Sequence, residues 1–339
     1  FMKSEYYYSQ MTRLQQSVYR QIYDGMTQLS PSFSVTALPM AELSDLWFRL
    51  RLDHPMIFYV TSFRCRKTAG ADTVLFEPEY MFEKKKILEH QKNLEARITR
   101  LIHPMQSLSG PEKAIAIHDF ICSQVTYDKL KKGYSHEIIG PLQQGIGVCE
   151  GIAKTIKCFC DRLGIDCIIA ICEADPERGN PYRHAWNIWK PEKTWYQLDA
   201  TFDNSVSCTE EIRYDYMNLS DRMIFRDHRP VIYPLPACLD GDHFYYREKK
   251  LSFTKMEDVK NRIRQAIRKK KPRYTFHWRG GYLNREILQE LATFTQATAD
   301  EKGLQAGFHV NYTQGILSLR LEEKKAEAIF SIDEDSMPE

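Results

Sequence analysis

Three side chains in this chain of 339 residues have the types and order that acyl transfer requires. Cys149 sits in Gly145-Ile-Gly-Val-Cys-Glu-Gly151, His184 opens His-Ala-Trp-Asn187, and Asp199 opens Asp-Ala-Thr-Phe-Asp203. A thiol can serve as nucleophile, an imidazole as its base, and a carboxylate as the group that orients the imidazole.

The elements that would position them follow from spacing. From Cys149 the apolar residues Ile152, Ala153, Ile156, Phe159, Cys160 and Leu163 recur every three or four positions, predicting a helix with one buried face. Gly164 is its C-terminal stop. Cys149 then lies in the first turn, where unpaired N–H groups and the helix dipole favour a thiolate. Read alone, Cys149 fits a small buried hydrophobe; the other two residues change that reading. His184–Ile188 and Thr194–Asp199 read as strands joined by the turn Lys190-Pro-Glu-Lys193. A hairpin centred between Pro191 and Glu192 sets His184 opposite Asp199, Trp186 opposite Gln197 and Ile188 opposite Trp195. Opposed Cβ atoms lie about 4.5–5.5 Å apart, within reach of an imidazole–carboxylate hydrogen bond that fixes the tautomer. Singly, His184 also reads as a strand histidine bonded to backbone and Asp199 as a turn residue at a strand end.

Taken in order, Gly-Val-Cys-Glu-Gly151, His184-Ala-Trp-Asn and Trp195-Tyr-Gln-Leu-Asp-Ala-Thr-Phe-Asp203 resemble the core of the transglutaminase-like cysteine enzyme superfamily. Two flanks resemble bacterial members as well: Pro111 to Val125 with Val125-Thr-Tyr-Asp128, and Tyr214-Asp-Tyr-Met-Asn-Leu-Ser-Asp221. Phe202 stands where bacterial members often carry Trp, a packing change outside the triad. The likeness covers roughly residues 108–245. It implies an α+β fold of papain-like arrangement, with the nucleophile helix packed on an antiparallel sheet. By the same likeness Cys149 is the nucleophile, His184 the general base and acid, and Asp199 the orienter. The reaction would pass through a thioester on a protein or peptide substrate. Hydrolysis of an amide is the expectation, because transamidation makes the extra demand that water be excluded. The alternatives are protein-glutamine crosslinking and a non-catalytic peptide-binding module on the same fold. The backbone N–H of Cys149 is the expected oxyanion donor, with Gln143 or Gln144 as side-chain candidates. Glu150 and Trp186 are expected to line the cleft, although a helix-terminal acid and a core aromatic describe them equally well.

Composition bounds the rest. A net charge of +2 gives no whole-molecule attraction to nucleic acid or anionic membrane, so neither is an expected partner. No run of 18 uncharged apolar residues exists, and Phe1-Met-Lys-Ser-Glu5 lacks the apolar region of a signal peptide, so a cytoplasmic location is expected. Phe1 before Met2 reads as an added residue, with the native start at Met2 or upstream. Nine cysteines at irregular spacing fit a reducing compartment. Cys158, Cys160, Cys167 and Cys172 have poor zinc spacing and read as core, so no metal is expected. Gly145-x-Gly147-x-x-x-Gly151 misses the dinucleotide pattern, and no cofactor is implied. Oligomeric state is not legible.

Residues 1–107 read as an α/β accessory region: a helix from Tyr6 to Leu29, a strand, and a helix from Met40 to Leu52. Strands Ile57–Phe63 and Thr73–Phe76 follow around a turn at Ala69-Gly-Ala71, then a helix from Glu83 to Ile102. Residues 246–321 alternate as a small α+β domain, followed by an acidic tail over 322–339. The basic run Arg268-Lys-Lys-Lys-Pro-Arg273 reads as a solvated helix end rather than a phosphate patch.

Overall fold

A computed structural model describes residues 5–67, 70–174, 177, 183–208 and 211–324. The chain divides into two compact units, Phe1–Tyr245 and Tyr246–Glu339.

The first unit opens with α1 (Tyr6–Ser9) and α2 (Arg13–Thr27) in place of the single helix expected from Tyr6 to Leu29. Thr12 makes the break: its hydroxyl accepts from the Gln15 N–H, and the Gln15 side chain accepts from the Thr12 N–H. This reciprocal cap starts a new helix more favourably than it could sit inside one. Next come β1 (Phe33–Thr36), α3 (Met40–Asp53), β2 (Val60–Lys67), β3 (Thr73–Tyr80) and α4 (Lys84–Ile102). The three strands form one antiparallel sheet in the order β1-β3-β2. Of the turn placed at Ala69-Gly-Ala71, Ala69 lies outside the described residues.

A capping box between Ser109 and Glu112 starts α5 (Gly110–Gln124). After it, β4 (Thr126–Tyr127) pairs in parallel with β5 (Ile146–Gly147), directly ahead of α6 (Cys149–Leu163). The chain continues through β6 (Asp166–Cys172), β7 (His184–Lys190), β8 (Tyr196–Leu198), α7 (Ala200–Val206), β9 (Met217–Leu219) and α8 (Asp221–Ile224). The second sheet is antiparallel throughout, in the order β6-β7-β8-β9.

The helix α6 is as expected at both ends, with Gly164 in the left-handed conformation at its C-cap, φ +74°. Its burial is not as expected. Ile152, Ile156 and Phe159 pack towards the core, each side chain contributing roughly 1.5–3 kcal/mol on burial. Lys154, Thr155 and Lys157, on the face expected to meet solvent, are buried too. The N-terminal region covers that face, α4 packing on α6 and Arg51 of α3 joining its ion pairs. Accordingly one hydrophobic core runs from Tyr7, Leu46 and Leu94 to Ile156, Ile169 and Trp189. The expected junction near residue 107 falls inside this unit, between Met105 and Ala114, both members of that core.

The chain passes through α9 (Tyr245–Glu248) into the second unit. There β10 (Ser252–Phe253), α10 (Met256–Arg268), β11 (Arg273–Trp278), α11 (Arg285–Asp300), β12 (Leu304–Asn311) and β13 (Ile316–Glu323) form a mixed sheet in the order β10-β11-β13-β12. It carries its own core, including Val259, Ile263, Phe276, Leu291 and Leu319. The strand β13 extends two residues past Leu321, into the stretch assigned to the tail. No helix among the described residues is long and apolar enough to cross a membrane.

Candidate active site

Cys149 is the first residue of α6, half-buried. Val148 caps the helix in extended conformation with no side chain satisfying the first turn. The ladder starts with the Ile152 N–H donating to the Val148 carbonyl at 2.9 Å, so the N–H groups of Cys149, Glu150 and Gly151 precede it. Two devices hold the loop ahead of the thiol. A π-helical turn, Gly140–Gln144, closes on Gly145 at φ +66°, a conformation that favours glycine. The strand β5 is then fastened to β4 by the Thr126 N–H to Gly145 O bond (2.8 Å) and the Asp128 N–H to Gly147 O bond (3.0 Å). Gly151 lets the helix seat itself: a Cβ there would lie 2.2 Å from the Ser135 carbonyl oxygen.

His184 begins β7, and its Nε2 donates to Asp199 Oδ2 at 2.6 Å. Nδ1 is the ring nitrogen left over, and the Cys149 side chain is among the groups that favour a proton on the ring. The hairpin register differs from the expected one. Ile188 pairs with Gln197 and Trp189 with Tyr196, two residues out of step with the Ile188–Trp195 pairing anticipated. The cause is a longer connection, Pro191 to Trp195, which shortens the second strand to Tyr196–Leu198. A slip of two preserves the face of every side chain, so Asp199 stays on the side of His184. Trp186 Nε1 likewise still donates to Gln197 Oε1, at 2.7 Å.

Asp199 is not a strand residue but the N-cap of α7. Its Oδ1 accepts from the Thr201 and Phe202 N–H groups at 2.9 and 3.0 Å, the role for which Asp is preferred. Oδ2 is left for imidazoles, and it takes two. His228 Nε2 lies 2.8 Å from it, while His228 Nδ1 lies 2.8 Å from Asp227 Oδ1.

The electrostatics follow. Burial opposes the His184 imidazolium, but the Asp199 carboxylate and the Cys149 sulfur outweigh it, holding the proton well above the ordinary histidine range. The same competition, with Asp199 and Asp227 as partners, raises His228. Burial would lift Asp199, yet the two imidazoles keep it ionised well below the usual carboxylate range.

The remaining candidates are placed as follows. Glu150 carries an ion-pair cluster: Lys154 Nζ lies 2.7 Å from it and 2.8 Å from Glu137, while Arg51 pairs with Glu137 and approaches Glu150 at 3.8 Å. Burial alone would raise Glu150, but Lys154, His136 and Arg51 hold it well below the usual range. Trp186 is buried beneath the site, its ring stacked 5.8 Å from that of His184. Gln143 bonds to His90 of α4 through Oε1 at 3.0 Å, and Gln144 is exposed. Cys158, Cys160, Cys167 and Cys172 are all core residues.

Sequence reasoning missed His228, which follows α8 in a polar stretch without periodicity. It also missed buried His118, whose Nε2 lies 3.0 Å from Asp203 Oδ2 and so ties α5 to α7. The i, i+4 spacing of Glu150 and Lys154 was a visible signal for the ion-pair cluster; Arg51 and Glu137, distant in sequence, gave none.

His184, Asp199 and His228 form a group whose ligand atoms lie within 4.8 Å of one another. Tetrahedral zinc with bonds of about 2.0–2.1 Å needs ligand atoms about 3.3 Å apart. Both imidazole nitrogens sit at 2.6 and 2.8 Å from one oxygen, the spacing of charge-assisted N–H···O bonds. As placed, these residues fit shared protons better than a cation.

A thiol at a helix start, packed on an antiparallel sheet that carries an imidazole–carboxylate pair, defines a core of the cysteine-enzyme class. Specifically, residues 92–200 match the family model of the transglutaminase-like superfamily, and that segment resembles its core. At the level of that family the chemistry is cysteine-based catalysis. The matched segment contains Cys149, His184 and Asp199 but not His228. Two solved structures are similar. One is described as a TGase, 12% identical with a TM-score of 0.28, the match covering 42% of this chain and 44% of that one. The other is a candidate cysteine protease from Cytophaga hutchinsonii, 13% identical with a TM-score of 0.25, covering 42% and 62%. The chain thus spans less than two thirds of the length of either. No curated protein matches it.

Proposed function

We propose that this protein is a cysteine hydrolase that cleaves peptide or side-chain amides in protein or peptide substrates through a thioester. The observation that carries the reading is the His184–Asp199 pair, His184 Nε2 lying 2.6 Å from Asp199 Oδ2, with Cys149 at the start of α6 among the groups that hold the proton on that ring.

The mechanism is one of proton placement. Asp199 fixes His184 with Nε2 protonated, so Nδ1 takes the thiol proton as general base. The Cys149 thiolate attacks the amide carbonyl carbon, and the oxyanion is met by the open N–H of Cys149. The tetrahedral species collapses as His184 Nδ1–H protonates the leaving amine, giving the thioester. Water then attacks the thioester, His184 takes its proton and returns one to sulfur, and the carboxylic acid leaves. Gln143, turned to His90, has no part in this scheme.

The test is alkylation of native protein with iodoacetamide at pH 6, read by peptide mapping. The exposed Cys208 and half-buried Cys65 and Cys122 are internal standards. Cys149 is expected to react first, and the advantage to vanish in His184→Ala. Uniform labelling, or an unreactive Cys149, overturns the assignment. Turnover of amide substrates with and without added primary amine then separates hydrolysis from transamidation.

A further inference from the structure

We infer that His228 is a second, positioning imidazole of this site, which braces Asp199 at the same oxygen that holds His184 and tempers the grip of Asp199 on the His184 proton. The inference rests on the proposed roles of Cys149, His184 and Asp199.

Geometry carries it. Each nitrogen of His228 lies 2.8 Å from a carboxylate oxygen, Asp199 on one side and Asp227 on the other. A neutral imidazole has one N–H and cannot donate to both, so His228 is placed as an imidazolium. The groups facing it are Asp199, Asp227, His184, and Tyr216, whose hydroxyl donates to the other oxygen of Asp227 at 2.7 Å. The resulting row, Asp227, His228, Asp199, His184, Cys149, alternates in charge when the thiolate forms. The two histidine rings are 5.4 Å apart and share one carboxylate oxygen. A cation at His228 therefore draws on the same negative charge that keeps His184 protonated. Its side chain is also almost wholly buried, so bulk water cannot replace it in that role.

The experiment is a titration of the His184 ring by NMR in wild type, His228→Gln and Asp227→Asn. Gln keeps a neutral donor for Asp199; Asp227→Asn leaves His228 in place but removes one of its two anions. Removing a unit charge at this separation, at an effective dielectric of about 20–40, should raise the His184 midpoint by about 1–2 pH units in His228→Gln. Asp227→Asn removes the anion that keeps His228 doubly protonated, so His228 becomes neutral and the His184 midpoint should move the same way by less; this variant serves alone should His228→Gln fail to fold. A residue that only packs would leave the midpoint where it is. An unmoved midpoint in both variants, or a wild-type His228 that titrates as an ordinary histidine, overturns the inference. The readout needs no substrate, so a failure of the hydrolase reading, seen in Cys149 alkylation, is separately visible.

Discussion

Replacing Asp199 with Asn separates its two jobs, because its two oxygens do different work. Oδ1 caps α7 through two N–H bonds of 2.9 and 3.0 Å, and an Asn amide oxygen can keep both. The Asn NH₂ then occupies the place of Oδ2, facing Nε2–H donors at 2.6 and 2.8 Å. Donor meets donor, so each imidazole must present a lone pair at Nε2 and carry its proton on Nδ1. For His184 that is the wrong tautomer, with a proton where the thiol must be accepted. The proton-holding effect of Asp199 on His184 is lost as well. A buried charge-assisted hydrogen bond contributes about 1.5–3 kcal/mol and a neutral one about 1, so weakening two such bonds from the first kind to the second costs about 1–4 kcal/mol. In a unit of this size that lowers the thermal midpoint by roughly 2–16 °C. Acylation should slow by about 10³–10⁴ at neutral pH, the order seen when a triad carboxylate is neutralised. Asp199→Ala should lose the cap too and cost a further ~0.5–2 kcal/mol. The assay is the rate of Cys149 alkylation from pH 5 to 9 by peptide mapping, with thermal denaturation in parallel. A wild-type alkylation profile in Asp199→Asn would refute the reasoning, whatever the loss of stability.

Three further outcomes are expected. Gly151→Ala brings a Cβ to 2.2 Å from the Ser135 carbonyl oxygen, so α6 must shift; we expect about 1–3 kcal/mol of destabilisation by chemical denaturation and a less reactive Cys149. Lys154→Met removes the cation between Glu137 and Glu150, leaving Arg51, with His136 beside Glu150, against two carboxylates. A loss of about 3–5 kcal/mol is expected, recovered in part by adding Glu137→Gln, as a double-mutant cycle would measure. The third concerns pH. The folded-state pKa of His184 is raised, so its contribution to stability is complete below about 6.5 and is lost as pH rises through the higher folded value. Asp199 is depressed, so its contribution holds above about 3.9 and disappears only as pH falls through the lower folded value. The wild-type thermal midpoint should therefore decline on the alkaline side of pH 6.5, with a shallower decline in His184→Ala.

The order and immediate setting of the reactive residues were legible in the sequence because they depend on short-range physics. Apolar spacing from Ile152 to Leu163 and the stop at Gly164 specify a helix, and a helix places Cys149 at its start whatever surrounds it. The alternation of β7 placed His184 and Trp186 on one face, and the face survived a two-residue error in register because strand parity repeats every two residues. The same local logic read most other helices to within a residue or two, failing at Thr12, where side-chain capping outcompeted a continuous apolar pattern. What only the tertiary structure decided involves partners far apart in the chain. It made Asp199 a helix cap, leaving one oxygen for two imidazoles, and it brought His228 to that oxygen across 29 positions. It covered the polar face of α6 with α4 and with Arg51 of α3, turning Lys154 and Glu150 into a buried ion-pair cluster. Periodicity records which way a side chain faces relative to its own element; which charge waits there is determined only when separate elements pack together.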